Sequence, residues 1–229
     1  MEILQNGITL DIAPGTFPLS TDSILLSGFV TLPKNARVLD LGSGCGTLGL
    51  LLCARDPNCI VTGIELDSIA HNAAQGNIAR NDLSHRLSSV CADLTGVPSL
   101  FLPGSFSCCV SNPPYFSGGP ASKTAPTARR DDNCSPEDLF RAAAWALRWG
   151  GDFFLVHKPE KLAQLCSCAS AAGLEPKRLQ LVRHTPDKPI SLILLACRKG
   201  AKPGLKLDEI CLYRADGTPT AHYRRLYHI

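Results

Sequence analysis

The chain has 229 residues, 45% of them hydrophobic and 19% charged, with a formal charge of +3; this allows one α/β domain with a full core. No apolar run is long enough to cross a membrane and the amino terminus lacks a basic-then-apolar export segment, so a cytoplasmic protein is expected. The 11 cysteines are then expected as reduced thiols, most of them small core residues in apolar runs (Cys53, Cys91, Cys197), and neither Cys108-Cys109 nor Cys166-Ser167-Cys168 has zinc-knuckle spacing, so no metal site is read.

Residues 1–20 mix short β-like runs (Ile8–Ile12) with the turn formers Asn6-Gly7 and Pro14-Gly15. Thr21 or Asp22 can cap a helix from Ser23 onward, which Pro33-Lys34-Asn35 ends. Residues 1–35 are therefore read as an extension or lid on the main domain. Val38, Leu39 and Leu41 then suit a buried parallel strand, and the run after Gly46 a helix packed on the sheet. Between them, Gly42, Gly44 and Gly46 let the backbone turn sharply and leave room for a ligand against bare peptide groups. Strand, glycine turn and helix hold a nucleotide-like cofactor in doubly wound folds.

The text alone is ambiguous, because Gly44-Cys45-Gly46-Thr47-Leu48-Gly49 also fits the dinucleotide pattern G-x-G-x-x-G. Asp40 argues against a pyrophosphate, which needs backbone donors and a positive helix end. S-adenosylmethionine carries an ammonium and a sulfonium, so the same carboxylate helps.

A second buried strand is expected at Ile60–Glu65. Its end places Glu65, 21 positions after Gly44, where a carboxylate can accept from both ribose hydroxyls; Leu66 follows it. Asp67 starts a helix that ends near Asn81. The third strand, Leu87–Cys91, leads to Asp93 and Leu94, with Asp93 placed either to bind the adenine amino group or simply to cap a turn. A short crossover precedes a fourth strand, Ser105–Ser111, which delivers Asn112-Pro113-Pro114-Tyr115-Phe116. After a polar loop over 117–133, a helix is expected from Ser135 to Trp149 with Gly150-Gly151 as its stop. Strands follow at Phe153–His157, Lys177–His184 and Ile190–Cys197, with a helix at Glu160–Ala172, and the last two strands read as an antiparallel pair.

Two prolines after Asn112 hold the backbone extended. The Asn112 side-chain carbonyl and the Pro113 backbone carbonyl then form an acceptor pair for the two hydrogens of a planar amino group. They favour electron density on nitrogen as it attacks a methyl group. Tyr115 and Phe116 offer rings for stacking on a flat base. The nitrogen can lose its proton after acquiring positive charge, so catalysis rests on in-line positioning and electrostatics.

Val38–Gly46, Glu65, Asp93 and Asn112–Tyr115 together resemble a class I S-adenosylmethionine-dependent methyltransferase of the amino-methylating branch. The chain is most similar to the bacterial family that methylates the adenine N6 beside the anticodon of valine tRNA. The likeness includes Thr21–Leu26, the Ala128-Arg129 loop, Gly150-Gly151, His157–Leu162, Leu174–Leu179 and Tyr227. It implies a Rossmann-like α/β fold: a seven-stranded, mostly parallel sheet with helices on both faces and an antiparallel last strand, over residues 36–229. It further implies S-adenosylmethionine as cofactor, held by Asp22, Asp40, Leu41, Gly42, Gly44, Gly46, Glu65, Leu66, Asp93, Leu94 and Asn112. Catalysis is expected from Asn112, Pro113, Pro114 and Tyr115, on an adenine flipped out of tRNA or another structured RNA. Tyr115, Phe116, Lys123, Arg129 and Arg130 are the expected RNA contacts. The family loop usually reads Ala-Arg-His and an acid, whereas here it is Ala128-Arg129-Arg130-Asp131, an extra arginine suited to phosphate.

The charge distribution agrees with such a partner, since residues 1–149 hold 10 Lys/Arg against 13 Asp/Glu and residues 150–229 hold 13 against 7. A monomer or weak homodimer is expected. The N-P-P-Y motif also serves enzymes acting on DNA or rRNA adenine or cytosine and on a glutamine amide of release factors. Only 37 residues precede Val38, few for the helical domain of the glutamine enzymes. About thirty follow Cys197, few for a DNA-reading domain. A non-catalytic binding module and an NAD-dependent oxidoreductase are the other classes; Glu65 and Asn112 argue against the first, Asp40 against the second.

Overall fold

The computed structural model describes residues 2–113 and 135–227. It opens with a small antiparallel hairpin, β1 (Glu2–Ile3) and β2 (Thr9–Leu10), followed by α1 (Thr21–Phe29). The cap of α1 is neither Thr21 nor Asp22. Ser20 supplies it, its hydroxyl accepting from the Ser23 N–H, because the residue with extended backbone just outside the first turn is the one whose side chain reaches back. The helix also ends earlier than Pro33, with Val30 as its C-cap.

Alternating strands and helices follow: β3 (Arg37–Leu41), α2 (Thr47–Arg55), β4 (Ile60–Glu65), α3 (Ser68–Arg80), β5 (Leu87–Cys91), the short α4 (Val97–Leu100) and β6 (Phe106–Ser111). Beyond residue 134 come α5 (Pro136–Ala146), β7 (Leu147–His157), α6 (Leu162–Ala171), β8 (Leu174–Arg183), β9 (Ile190–Lys199), β10 (Lys206–Cys211) and α7 (Ala221–Tyr227).

The described residues form an eight-stranded sheet in the order β10-β8-β9-β7-β6-β3-β4-β5. Every pairing is parallel except those of β9, which runs antiparallel to both β7 and β8. This is the expected doubly wound fold with one strand more. The eighth, β10, adds to the edge parallel to β8; its residues are largely exposed, so it carries no apolar run to announce it.

Side chains on the strands alternate between two cores. Val38, Val61, Cys108, Val110, Phe154 and Val156 face α1, α2 and α3, while Leu39, Leu41, Cys109, Phe153 and Leu155 face α5 and α6. Two expectations about local structure need correction. Helix α5 stops at Ala146, and Trp149-Gly150-Gly151 lies within β7. There the register against β6 shifts between Phe106 and Cys108, and Gly150 takes φ +76°, so the glycines serve a bulge and not a helix stop. Cys91 is exposed at the end of β5, whereas Cys53 and Cys197 are buried as expected.

Candidate active site

The chain order reverses direction across the sheet between β3 and β6, the neighbours from which successive strands run outward on either side. Ligands bind doubly wound sheets in the crevice at the carboxyl ends of such strands. Three candidate segments meet there: the glycine loop after β3, Glu65 ending β4, and Asn112 just beyond β6.

The loop folds under glycine's freedom. Gly42, Gly44 and Gly46 have φ of +75°, +55° and +84°, a region that costs other residues. The Gly42 and Ser43 N–H groups both donate to the Ile64 carbonyl (3.0 and 2.9 Å), tying the loop to β4. A Cβ on Gly42 or Gly44 would meet nothing within 4 Å, so the surface above them is open. A Cβ on Gly63, by contrast, would sit 2.6 Å from Ser43 Oγ, so the loop lies directly on β4 only because residue 63 is glycine.

Glu65 does more than the sequence reading assigned. Its Oε2 accepts from the Gly44 N–H at 2.7 Å and its Oε1 from the Asp67 N–H at 2.8 Å. Each oxygen keeps a second lone-pair direction, and the residue is half-buried at the crevice. Leu66, exposed, follows in the exit turn. Asp93 caps the turn over Leu94–Gly96, its Oδ1 accepting from both the N–H and the hydroxyl of Thr95 at 2.8 Å. The capping role is thus real, and it engages Oδ1. Leu94 packs on the α5–α6 core.

Asp40 points down from β3 into the α1–α2 core and is 1% exposed. Among the described residues neither carboxylate oxygen meets a donor at full hydrogen-bond geometry. Burial, then the Glu65 charge, push its carboxyl up to about 7, offset in part by the Gly49 N–H in the unsatisfied first turn of α2. An acidic group this poorly compensated favours a nearby positive charge.

Asn112 lies half-buried beyond β6. Ser111 anchors the backbone before it, donating to the Leu41 carbonyl at 2.7 Å. The Asn112 amide Nδ2 donates to Ser23 Oγ at 2.9 Å, and its Oδ1 can only accept. Pro113 is buried. Asp22 stands in the first turn of α1, beside Ser23. Pro114, Tyr115, Phe116, Lys123, Arg129 and Arg130 lie outside the described residues.

Two contributors went unnoticed in the sequence. Ser23 reaches Asn112 across 89 positions. Asn77, 1% exposed on α3, donates to the Cys45 carbonyl in the loop and to the Asp11 carbonyl, and accepts from the Asp11 N–H. Ser23 lies in the Thr21–Leu26 stretch of the family likeness, but nothing there points to Asn112; an asparagine inside a helix is the weak signal at position 77. Among the described residues no cluster of His, Cys, Asp or Glu is placed to hold a metal ion.

Residues 20–165 match the methyltransferase small domain family. The chain belongs to that family. Relatives extend the match well beyond those residues. The chain is 30% identical over 200 residues to the tRNA1(Val) (adenine(37)-N6)-methyltransferase of Photobacterium profundum, covering 85% of this chain and 83% of that one. The protein of the same name from Parabacteroides distasonis is 33% identical, covering 81% and 79%. Among solved structures, a predicted O-methyltransferase, Atu636 of Agrobacterium tumefaciens, superposes with a TM-score of 0.77 at 22% identity over 91% of this chain and 96% of that one. The geranyl diphosphate C-methyltransferase of Streptomyces coelicolor, solved with S-adenosyl-L-homocysteine, gives 0.60 at 13% identity over 77% and 79%. These neighbours share the fold while differing in the atom methylated. In this methyltransferase the acceptor must therefore be argued from the residues at the site.

Proposed function

We propose that this methyltransferase uses S-adenosylmethionine to methylate the N6 amino group of an adenine in tRNA. The observation that carries the reading is the orientation of Asn112. At the mouth of the crevice its Nδ2 is committed to Ser23, so its Oδ1 is available to an amino group. The names of the relatives supply the tRNA, and the structure supplies a site that fits the cofactor. The open surface over Gly42 and Gly44 leaves room for it, the poorly compensated Asp40 favours its positive charge, and we assign its ribose to Glu65 and its adenine to Asp93.

The cofactor, when bound, supplies a methyl group on a positively charged sulfur. The chain's own residues do the rest. Glu65 holds the Gly44 and Asp67 N–H groups, and so the loop, while offering lone pairs outward. Asn112 Oδ1 and the Pro113 carbonyl accept the two amino hydrogens, so the nitrogen lone pair is directed in line and its growing charge is stabilised. Tyr115 and Phe116 stack on the extruded base, and Lys123, Arg129 and Arg130 contact phosphate. Unstacking is cheap for a base in a loop, which suits a structured RNA as substrate. Residues 1–35 are the extension or lid and 36–229 the catalytic domain; a monomer or weak homodimer in the cytoplasm completes the reading.

Incubation of the protein with labelled cofactor and separate pools of RNA, DNA and protein, followed by nucleoside mass spectrometry, tests it. N6-methyladenosine in tRNA is the expected product. Label in DNA, in rRNA alone or on a glutamine amide sinks the tRNA assignment, and calorimetry showing NAD in place of S-adenosylmethionine sinks the cofactor.

A further inference from the structure

A primary amide is two-faced: its oxygen only accepts and its nitrogen only donates. For Asn112 to receive an amino hydrogen, the NH2 end must be held elsewhere, since a half-turn would present donors to a donor. The backbone is anchored by the Ser111 hydroxyl on the Leu41 carbonyl, but this leaves the amide free to turn. The one hydrogen bond from the amide among the described residues runs to Ser23 Oγ, at 2.9 Å.

We infer that Ser23 is a positioning residue for methyl transfer, fixing the Asn112 amide with Oδ1 towards the substrate amine; the inference rests on the reading of Asn112 given above. Ser23 is suited to this because it does not move freely. It is 6% exposed, its N–H is taken by the Ser20 cap, and the next turn buries Leu25 and Leu26. The helix that carries it is also clamped from the far end of the chain. Tyr227 donates its hydroxyl to Thr21 Oγ1 at 3.2 Å, and a Cβ on Gly28 would lie 2.1 Å from Leu226 Cδ2, so α7 packs directly on α1. An element that precedes the cofactor loop thus sets the orientation of the group that meets the substrate.

The test is Ser23→Ala in the full chain, assayed on a valine tRNA transcript at saturating S-adenosylmethionine. Loss of one neutral hydrogen bond predicts a fall of about 10-fold in kcat, with the cofactor dissociation constant within about 2-fold of wild type. Unchanged kcat, or a rate loss matched by weaker cofactor binding, overturns the inference. A second measurement does not need turnover. The Asn112 side-chain NH2 signals, assigned by their disappearance in Asn112→Ala, shift and exchange faster with water in Ser23→Ala; identical signals overturn the inference. Should wild type methylate no RNA at all, the acceptor reading fails, and these amide signals alone decide whether Ser23 holds Asn112.

Discussion

In the proposed reaction Asp40 and Asn112 act in opposite ways, one through a poorly compensated buried charge and the other through a dipole held in place. Asn112→Ala removes the acceptor without touching the cofactor loop, so kcat should fall by about 100-fold or more while calorimetry finds cofactor affinity nearly intact. For Asp40 the effect is one of linkage. Its folded carboxyl titrates at about 7 against 3.8 for the ordinary group. The stability carried by the protonated form is complete below pH 3.8 and is lost as pH rises through 7, a loss of the order of 4 kcal/mol. Asp40→Asn should therefore melt higher than wild type, with the difference growing from pH 4 to 7 and level above it. A difference independent of pH would remove the linkage. Wild type should also bind S-adenosylmethionine more tightly as pH rises to 7 and release a proton on binding near neutrality, a release Asp40→Asn lacks in titrations run in buffers of different ionisation enthalpy.

At the scale of elements, the crevice is assembled by clamps between segments distant in sequence. Helix α3 matters most here, because Asn77 ties the glycine loop at Cys45 to the amino-terminal segment at Asp11. Asn77→Ala would leave the buried Cys45 carbonyl, and the N–H and carbonyl of Asp11, without their partners, a cost of roughly 2–3 kcal/mol. A thermal midpoint lower by roughly 5–10 °C is expected, with weaker cofactor binding because the loop loses its tether. Melting within 1–2 °C of wild type would show that water replaces those bonds. The central strands were readable because burial on both faces writes itself as apolar runs, and Ile60–Glu65 ends on the carboxylate that the loop needs; at one edge Leu87–Cys91 also falls where expected. The other edge was not readable. Strand β10 is mostly exposed, and its place depends on the unpaired rim of β8. The α5–β7 junction was misjudged for a related reason, since Gly150-Gly151 reads as a stop whether it ends a helix or relieves a bulge.

Across the whole molecule, at least four of the 13 Lys/Arg of residues 150–229 are engaged internally. Arg198 forms a two-pronged pair with Asp152 (2.8 and 2.9 Å), and Arg183 meets Glu209 at 2.6 Å. Lys199 closes the last carbonyls of α5 through Ala144 and Leu147, and Arg178 lies 4.3 Å over the Phe29 ring. The number of basic residues counted along the chain therefore overstates those open to RNA. The prediction falls on Arg129 and Arg130: replacing both with Ala should lower the slope of log affinity against log salt by about 1.5–2. An unchanged slope in filter binding or anisotropy titrations removes them as phosphate contacts.

The sequence alone determined the doubly wound class and the glycine loop, and it singled out Asp40, Glu65 and Asn112 as candidates. These follow from local requirements: a buried strand needs apolar side chains, a left-handed turn needs glycine, and a polar side chain in or just beyond such a strand stands out. Only the tertiary structure decided that Glu65 holds the loop, that Asp40 is buried with little beyond the Gly49 N–H to offset its charge, and that the Asn112 amide is bonded to Ser23. Hydrogen bonds between residues tens of positions apart leave no period or spacing behind, because it is the packing of α1, α3 and the sheet that brings their donors and acceptors together.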